Sequence, residues 1–260
     1  ATRHRESTEL LMDLMEESGL KTKIGKVNMD RNATMHLNEE SAAFSAADTV
    51  QWLEEIKGRY RHTEPIITPR FIPSCSDELM ESLSDIRKEY GLPLQSHLSE
   101  NKNEVAWVRE LCPKSDGYAD AYRQTGMLGG DYPAIMAHCV YLTDKEEDML
   151  LENGVYVAHC PASNTNLASG ISPVRRFLRK GLKVGLGTDI AGGFSNSILR
   201  AMADAVQVSK LYFRLADNTA NPLTLEEVFY MGTKGGGEFF GNVGSFEEGY
   251  EFDALILDDS

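Results

Sequence analysis

The chain is short of basic residues, has only four cysteines, and nowhere runs apolar for long. Twenty-six lysines and arginines stand against 40 aspartates and glutamates, a formal net charge of −14. Such a field repels phosphate backbones and anionic lipid, which disfavours nucleic-acid and membrane partners. No stretch is long enough to span a bilayer, and Ala1-Thr2-Arg3-His4-Arg5-Glu6 lacks the apolar centre of a secretory signal. These properties predict a cytoplasmic protein. Cys75, Cys112, Cys139 and Cys160 form no C-x-x-C pair, and 260 residues can bury a core without staples, so they are expected to be free thiols. Several catalytic signatures are also missing. The combination of H-x-E with P-C-x-x-C is absent, which excludes the cytidine-deaminase type of zinc site, and so are G-x-S-x-G, H-E-x-x-H and a phosphate-binding glycine loop.

What is present is an alternation of strand-like and helix-like windows. Strands are expected at Ile24 to Met29, Pro65 to Phe71, Pro93 to His97, Ala134 to His138, Val155 to His159 and Lys183 to Asp189. Between them, apolar residues recur at helical spacing, as in Leu79, Met80, Leu83, Ile86 and Tyr90 before the stop at Gly91. Ser74 with Asp77, Thr143 with Glu146 and Thr224 with Glu227 read as capping boxes, and Ser172-Pro173 reads as a helix start with proline in the first turn. Strands separated by helices pair in parallel through right-handed crossovers. Polar groups at the ends of so many strands favour a (β/α) barrel of the TIM type over an open sheet with one crevice. Six strands are counted where a (β/α)8 barrel has eight, so the barrel is expected to be incomplete. The partial barrel is assigned to residues 1–240, and residues 241–260, with a strand at Phe252 to Leu257, to the start of a small accessory β-structure.

Three of the expected strands end in residues that bind metals: His97, His138 and Asp189. Carboxyl ends of neighbouring parallel strands converge, so the three side chains can share one ion, and imidazole with carboxylate suits a catalytic zinc. His159 complicates the choice, because Ala158-His159-Cys160 nearly duplicates Ala137-His138-Cys139. Glu100 follows His97 by three residues; a turn at the strand end would swing it inward as a proton shuttle, although it could equally be an acid opening the next helix. Arg70 and Phe71 offer a donor fork and an aromatic plate suited to a flat heterocycle. Gly192-Gly193 would let the chain turn sharply after Asp189.

Gln95-Ser96-His97-Leu98-Ser99-Glu100-Asn101, Met136-Ala137-His138-Cys139, Ala158-His159-Cys160-Pro161-Ala162-Ser163-Asn164 and Gly185-Leu186-Gly187-Thr188-Asp189-Ile190-Ala191-Gly192-Gly193 together resemble the amidohydrolase superfamily. Pro69-Arg70-Phe71 and Gly25-Lys26-Val27-Asn28-Met29-Asp30 look like the branch that deaminates guanine. The resemblance implies a barrel enzyme that hydrolyses guanine to xanthine and ammonia, with one zinc, iron being the other possibility, in a homodimer. It implies that His97, His138 and Asp189 hold the metal, that Asp189 also takes a proton from water, and that Glu100 moves protons to the ring and leaving amine. Arg70 and Phe71, with His97, Glu100 and Asp189, would hold the purine. His159 matches a position outside the metal set. The family also supplies a His-x-His from its first barrel strand, which is absent here, so that strand is expected upstream of residue 1 and these residues alone are expected to bind zinc weakly and turn over little. The alternatives are an amidohydrolase acting on another amino- or chloro-heterocycle, and an inactive scaffold.

Overall fold

A computed structural model describes residues 2–257. Its strands are β1 (Thr22–Ile24), β2 (Val27–Asn28), β3 (Thr63–Pro65), β4 (Thr68–Pro69), β5 (Leu94–Leu98), β6 (Ala134–His138), β7 (Tyr156–His159) and β8 (Lys183–Leu186). Every pairing between them is parallel: β1 with β3, β2 with β4, and β5, β6, β7 and β8 side by side. The first four strands are two barrel positions, each broken in the middle. Pro65 brings no N–H to the ladder, and the chains pass so closely that a Cβ on Gly25 would sit 2.1 Å from the Ile66 carbonyl oxygen. Ile67 carries the pairing onward, donating to the Pro93 carbonyl at 3.0 Å and accepting from Gln95 N at 3.0 Å. Six strand positions thus follow one another in chain order, forming the incomplete (β/α) barrel that the alternation implied.

The helices are α1 (Arg5–Ser18), α2 (Ala42–Ile56), α3 (Asp77–Tyr90), α4 (Lys102–Leu111), α5 (Tyr118–Gln124), α6 (Asp144–Glu152), α7 (Pro161–Asn166), α8 (Val174–Lys180), α9 (Ile198–Leu215), α10 (Leu225–Gly232) and α11 (Lys234–Gly237). Thr143 with Glu146 and Thr224 with Glu227 form complete capping boxes, and Gly91 and Gly181 close α3 and α8 in left-handed geometry. At two starts the expected cap is displaced. Ser76, not Ser74, caps α3, because Asp30 receives both the backbone N–H and the hydroxyl of Ser76 while Ser74 ends a 3-10 turn. Pro173 takes the cap position of α8 rather than its first turn.

Between the strands and the helices lies a core that includes Trp52, Leu79, Leu83, Leu94, Met136, Val157, Phe177 and Val184. Arg87 is buried beside it and donates to the carbonyls of Leu92, Gly126, Gly129, Tyr132 and Pro133, which ties α3 to the chain entering β6. Burial pushes its guanidinium down to about 10. All four cysteines are free. Residues 251–257 carry no strand: Phe252, Leu255, Ile256 and Leu257 are exposed, without a neighbouring strand to pair with, and apolar composition alone does not make a ladder. Residues 258–260 of the expected accessory segment lie outside the described residues. No described helix is long and apolar enough to cross a membrane.

Candidate active site

The chain turns abruptly where the strands end. Among the described residues seven non-glycine residues have positive φ, and Ser99, His138, Cys139, Asp189 and Ala191 are five of them, at φ 50°, 74°, 50°, 44° and 92°. Left-handed backbone costs about 1–3 kcal/mol at a residue with a Cβ, and it collects at working sites because the surroundings hold it there. The turn at Ser99 carries Glu100 back toward the strand ends, and α4 is capped by Asn101 beyond it. The helix-acid reading of Glu100 therefore does not apply.

His97 and His138, one residue apart in register at the ends of β5 and β6, stack with ring centroids 5.2 Å apart and 27° between planes. His97 Nδ1 lies 2.7 Å from the Arg70 carbonyl oxygen. A carbonyl only accepts, so Nδ1 carries the hydrogen and Nε2 keeps its lone pair. His138 Nδ1 lies 2.9 Å from Asn164 Oδ1, and its Nε2, buried and without a hydrogen-bond partner, lies 3.8 Å from Glu100 Oε2. Glu100 Oε1 accepts from Ser169 Oγ at 2.8 Å. Phe71 meets His97 edge to face at 6.5 Å, and the Arg70 guanidinium lies 5.6 Å from the Phe71 ring. Six predicted residues are thus accounted for at one end of the sheet, Asp189 among them, but not as one coordination shell. The Asp189 carboxylate is engaged by Ser163 Oγ at 2.5 Å, and among the described residues no three His, Cys, Asp or Glu side chains stand close enough to hold an ion. Two imidazoles fit a metal by their chemistry, since each has Nδ1 committed to an oxygen, and the free Nε2 of His138 is a buried atom in want of a partner.

The duplicated Ala-His-Cys resolves clearly. His138 turns toward His97 through its positive φ, whereas His159 lines a cavity of about 10 Å³ with Val174, Ser209 and Tyr212, on the side of α8 and α9. Gly192 matters for room rather than for φ: a Cβ there would lie 2.6 Å from Asp189 Oδ2 and 2.8 Å from Ser163 Oγ. Ser163, Asn164 and Ser169 are site residues that sequence reasoning assigned no role. A Ser-Asn pair one residue beyond a strand-end His-Cys-Pro was the available signal for the first two. Ser169 reaches Glu100 across 69 positions and left none.

Burial first, then the neighbouring His138, holds the His97 imidazole below its ordinary pKa, and the same two causes push His159 down to about 3. An imidazole that stays neutral in the fold but protonates in the unfolded chain leaves stability intact above about pH 6.5 and erodes it as pH falls toward the folded value, by about 1.4 kcal/mol per pH unit. Urea unfolding at pH 7, 6, 5 and 4 is expected to show this decline. His159→Leu should flatten it in part, with His97 still contributing; an unchanged slope would mean that His159 finds a proton acceptor in the fold.

Parallel strands whose carboxyl ends gather facing imidazoles, a carboxylate and strained turns have the layout of a (β/α)-barrel active site. The chain belongs to the Amidohydrolase family, whose description matches residues 1–259. It is similar to a guanine deaminase from C. acetobutylicum solved with guanine in its active site, at 45% identity and a TM-score of 0.95, over 100% of this chain and 61% of that one. Among curated relatives, the guanine deaminase of Dictyostelium discoideum is 39% identical over 262 residues and that of Homo sapiens 40% over 263, in each case 99% of this chain and 57% of the relative. The chain therefore spans little more than half the length of the relatives it matches.

Proposed function

We propose that this protein deaminates guanine hydrolytically, giving xanthine and ammonia, as a cytoplasmic homodimer with a resident metal, zinc in preference to iron. The observation that carries the reading is the grouping of Arg70, Phe71, His97, Glu100 and His138 at one end of the sheet, in a chain 45% identical to a guanine deaminase holding guanine. His97, His138 and Asp189 would hold the metal, which when bound supplies a water of lowered pKa and a Lewis acid. Arg70 and Phe71 would grip the flat purine, by donated hydrogen bonds and by its face. Asp189 would accept a proton from the attacking water, whose oxygen bonds to the amine-bearing ring carbon. Glu100, lying between Ser169 and His138, would give its proton to the neighbouring ring nitrogen and then carry the added hydroxyl's proton to the amine, so that the carbon–nitrogen bond breaks as the carbonyl forms and ammonia leaves, the proton held by Asp189 recharging Glu100. Residues 241–260 would open an accessory domain.

The test is release of ammonia and xanthine from guanine, by these 260 residues and by a form extended to the span of the relatives. Turnover is expected in the extended form and little in the short one. Arg70→Ala should raise KM for guanine by about tenfold or more, the loss of about 1.5–3 kcal/mol for a charged hydrogen bond. Unchanged guanine turnover in that variant, or turnover of a chloro-heterocycle in guanine's place, would shift the assignment to the other branch of the family.

A further inference from the structure

Three candidate reacting groups, on three different strand ends, are each held by a side chain from one run of seven residues. Ser163 Oγ donates to Asp189 Oδ2 at 2.5 Å, Asn164 Oδ1 lies 2.9 Å from His138 Nδ1, and Ser169 Oγ donates to Glu100 Oε1 at 2.8 Å. We propose that residues 163–169 are the positioning clamp of this site, with Ser163, Asn164 and Ser169 as positioning residues; the inference rests on the reading above that His138, Asp189 and Glu100 carry the chemistry.

The topology explains how so short a run reaches so far. α7 springs directly from the end of β7, and β7 lies between β6 and β8. Successive residues on a helix point about 100° apart, so Ser163 and Asn164 fan out to the two flanking strand ends. After the helix the chain doubles back: Ser169 N donates to the Asn164 carbonyl at 2.9 Å, with Ala168 at φ 54°, and this return brings the Ser169 hydroxyl to Glu100. Asn166 Nδ2 donates to the Gly192 carbonyl at 2.7 Å and pins the loop that follows Asp189.

Burial argues that these contacts are more than incidental. Ser163, Asn164 and Ser169 are 0%, 1% and 4% exposed. A helical serine commonly bonds back to its own helix, and a buried polar group needs a partner; here each oxygen meets a site residue. The consequence for His138 is specific. With Asn164 Oδ1 accepting, the hydrogen sits on Nδ1 and the lone pair on Nε2, the atom beside Glu100 that has no protein partner.

The decisive measurement is the ¹⁵N spectrum of the histidine side chains in the metal-free chain. His138 is expected to be the Nδ1–H form in the parent protein and in Asn164→Asp, and a mixture of both tautomers in Asn164→Leu. An unchanged tautomer in Asn164→Leu overturns the clamp, because loss of mere packing would lower stability without exchanging protons between ring nitrogens. Should that variant not fold, Ser163→Ala decides by zinc titration of the extended form: affinity is expected to fall by about 10- to 100-fold and to return in Ser163→Thr, the usual range when a ligand's supporting bond is lost. Parent-like affinity in Ser163→Ala overturns the proposal. In the extended form Ser169→Ala should lower kcat by about tenfold with KM unchanged. The tautomer and the zinc titration need no turnover, so a protein that ignores guanine but fails neither of them sinks the proposed reaction and leaves the clamp standing.

Discussion

In the extended form, and for the deamination proposed above, Glu100→Gln is expected to lower turnover by about 10²- to 10⁴-fold, the usual contribution of a positioned general acid and base. The substitution is nearly isosteric. Glutamine keeps an oxygen to accept from Ser169 Oγ, and the Ser99 turn that aims the side chain is untouched, so thermal unfolding should stay within about 0.5 kcal/mol of the parent. What is lost is the proton. A carboxylate 3.8 Å from His138 Nε2 can take a proton and give it to a ring nitrogen or an amine, and a carboxamide cannot. Metal content should be unchanged in the variant. If metal is lost along with activity, Glu100 is a ligand rather than a shuttle, and the proton route must be reassigned.

Lys26→Met is expected to destabilise the fold by about 3–5 kcal/mol, because it leaves a buried carboxylate alone. Lys26 Nζ lies 2.5 Å from Glu39 Oε1 and 3.3 Å from Asp48 Oδ2, and the side chains of Lys26 and Glu39 are 0% and 1% exposed. Glu39 Oε2 accepts in turn from Met29 N at 2.9 Å and from Ser45 Oγ at 2.6 Å. Asn28 continues the network to Ser45 and Thr49, fastening the end of β2 to α2. Replacing the lysine alone removes the charge that makes Glu39 tolerable inside the protein. Lys26→Met with Glu39→Gln should recover much of the loss, since the amide still accepts from Met29 and Ser45 without carrying charge. Chemical denaturation of the three proteins measures both steps. A Lys26→Met variant within about 1 kcal/mol of the parent would mean that water reaches Glu39.

Both predictions draw on residues that the sequence marked unequally. Glu100 was legible because it follows a strand-end histidine at an offset that only a turn could use, and the turn is there at Ser99. Lys26 stood in a motif that resembled the family, yet nothing in its neighbours announces a lysine with no exposure at all. The helix boundaries show the same division. Thr143 with Glu146 and Thr224 with Glu227 are local devices whose partners lie three residues away, and they form as expected. Ser74 lost the cap of α3 to Ser76 because of Asp30, 46 positions earlier, which no local pattern contains.

Period and composition by themselves determined the six strand positions, their parallel order, the helices between them, and the arrival of His97 and His138 at strand ends, with Asp189 in the turn three residues past the end of β8 rather than within the expected strand; all follow from alternation of polarity and from chain connectivity, which act over a few residues. Tertiary structure showed which of two Ala-His-Cys imidazoles meets His97, a choice that periodicity left open and the family resemblance placed at His138, and it alone decided how residues 163–169 grip their neighbours' side chains and that Phe252 to Leu257 pair with nothing among the described residues. Those outcomes depend on the sign of one φ angle and on hydrogen bonds between residues 26 or more positions apart, and such contacts come into being only when the sheet assembles.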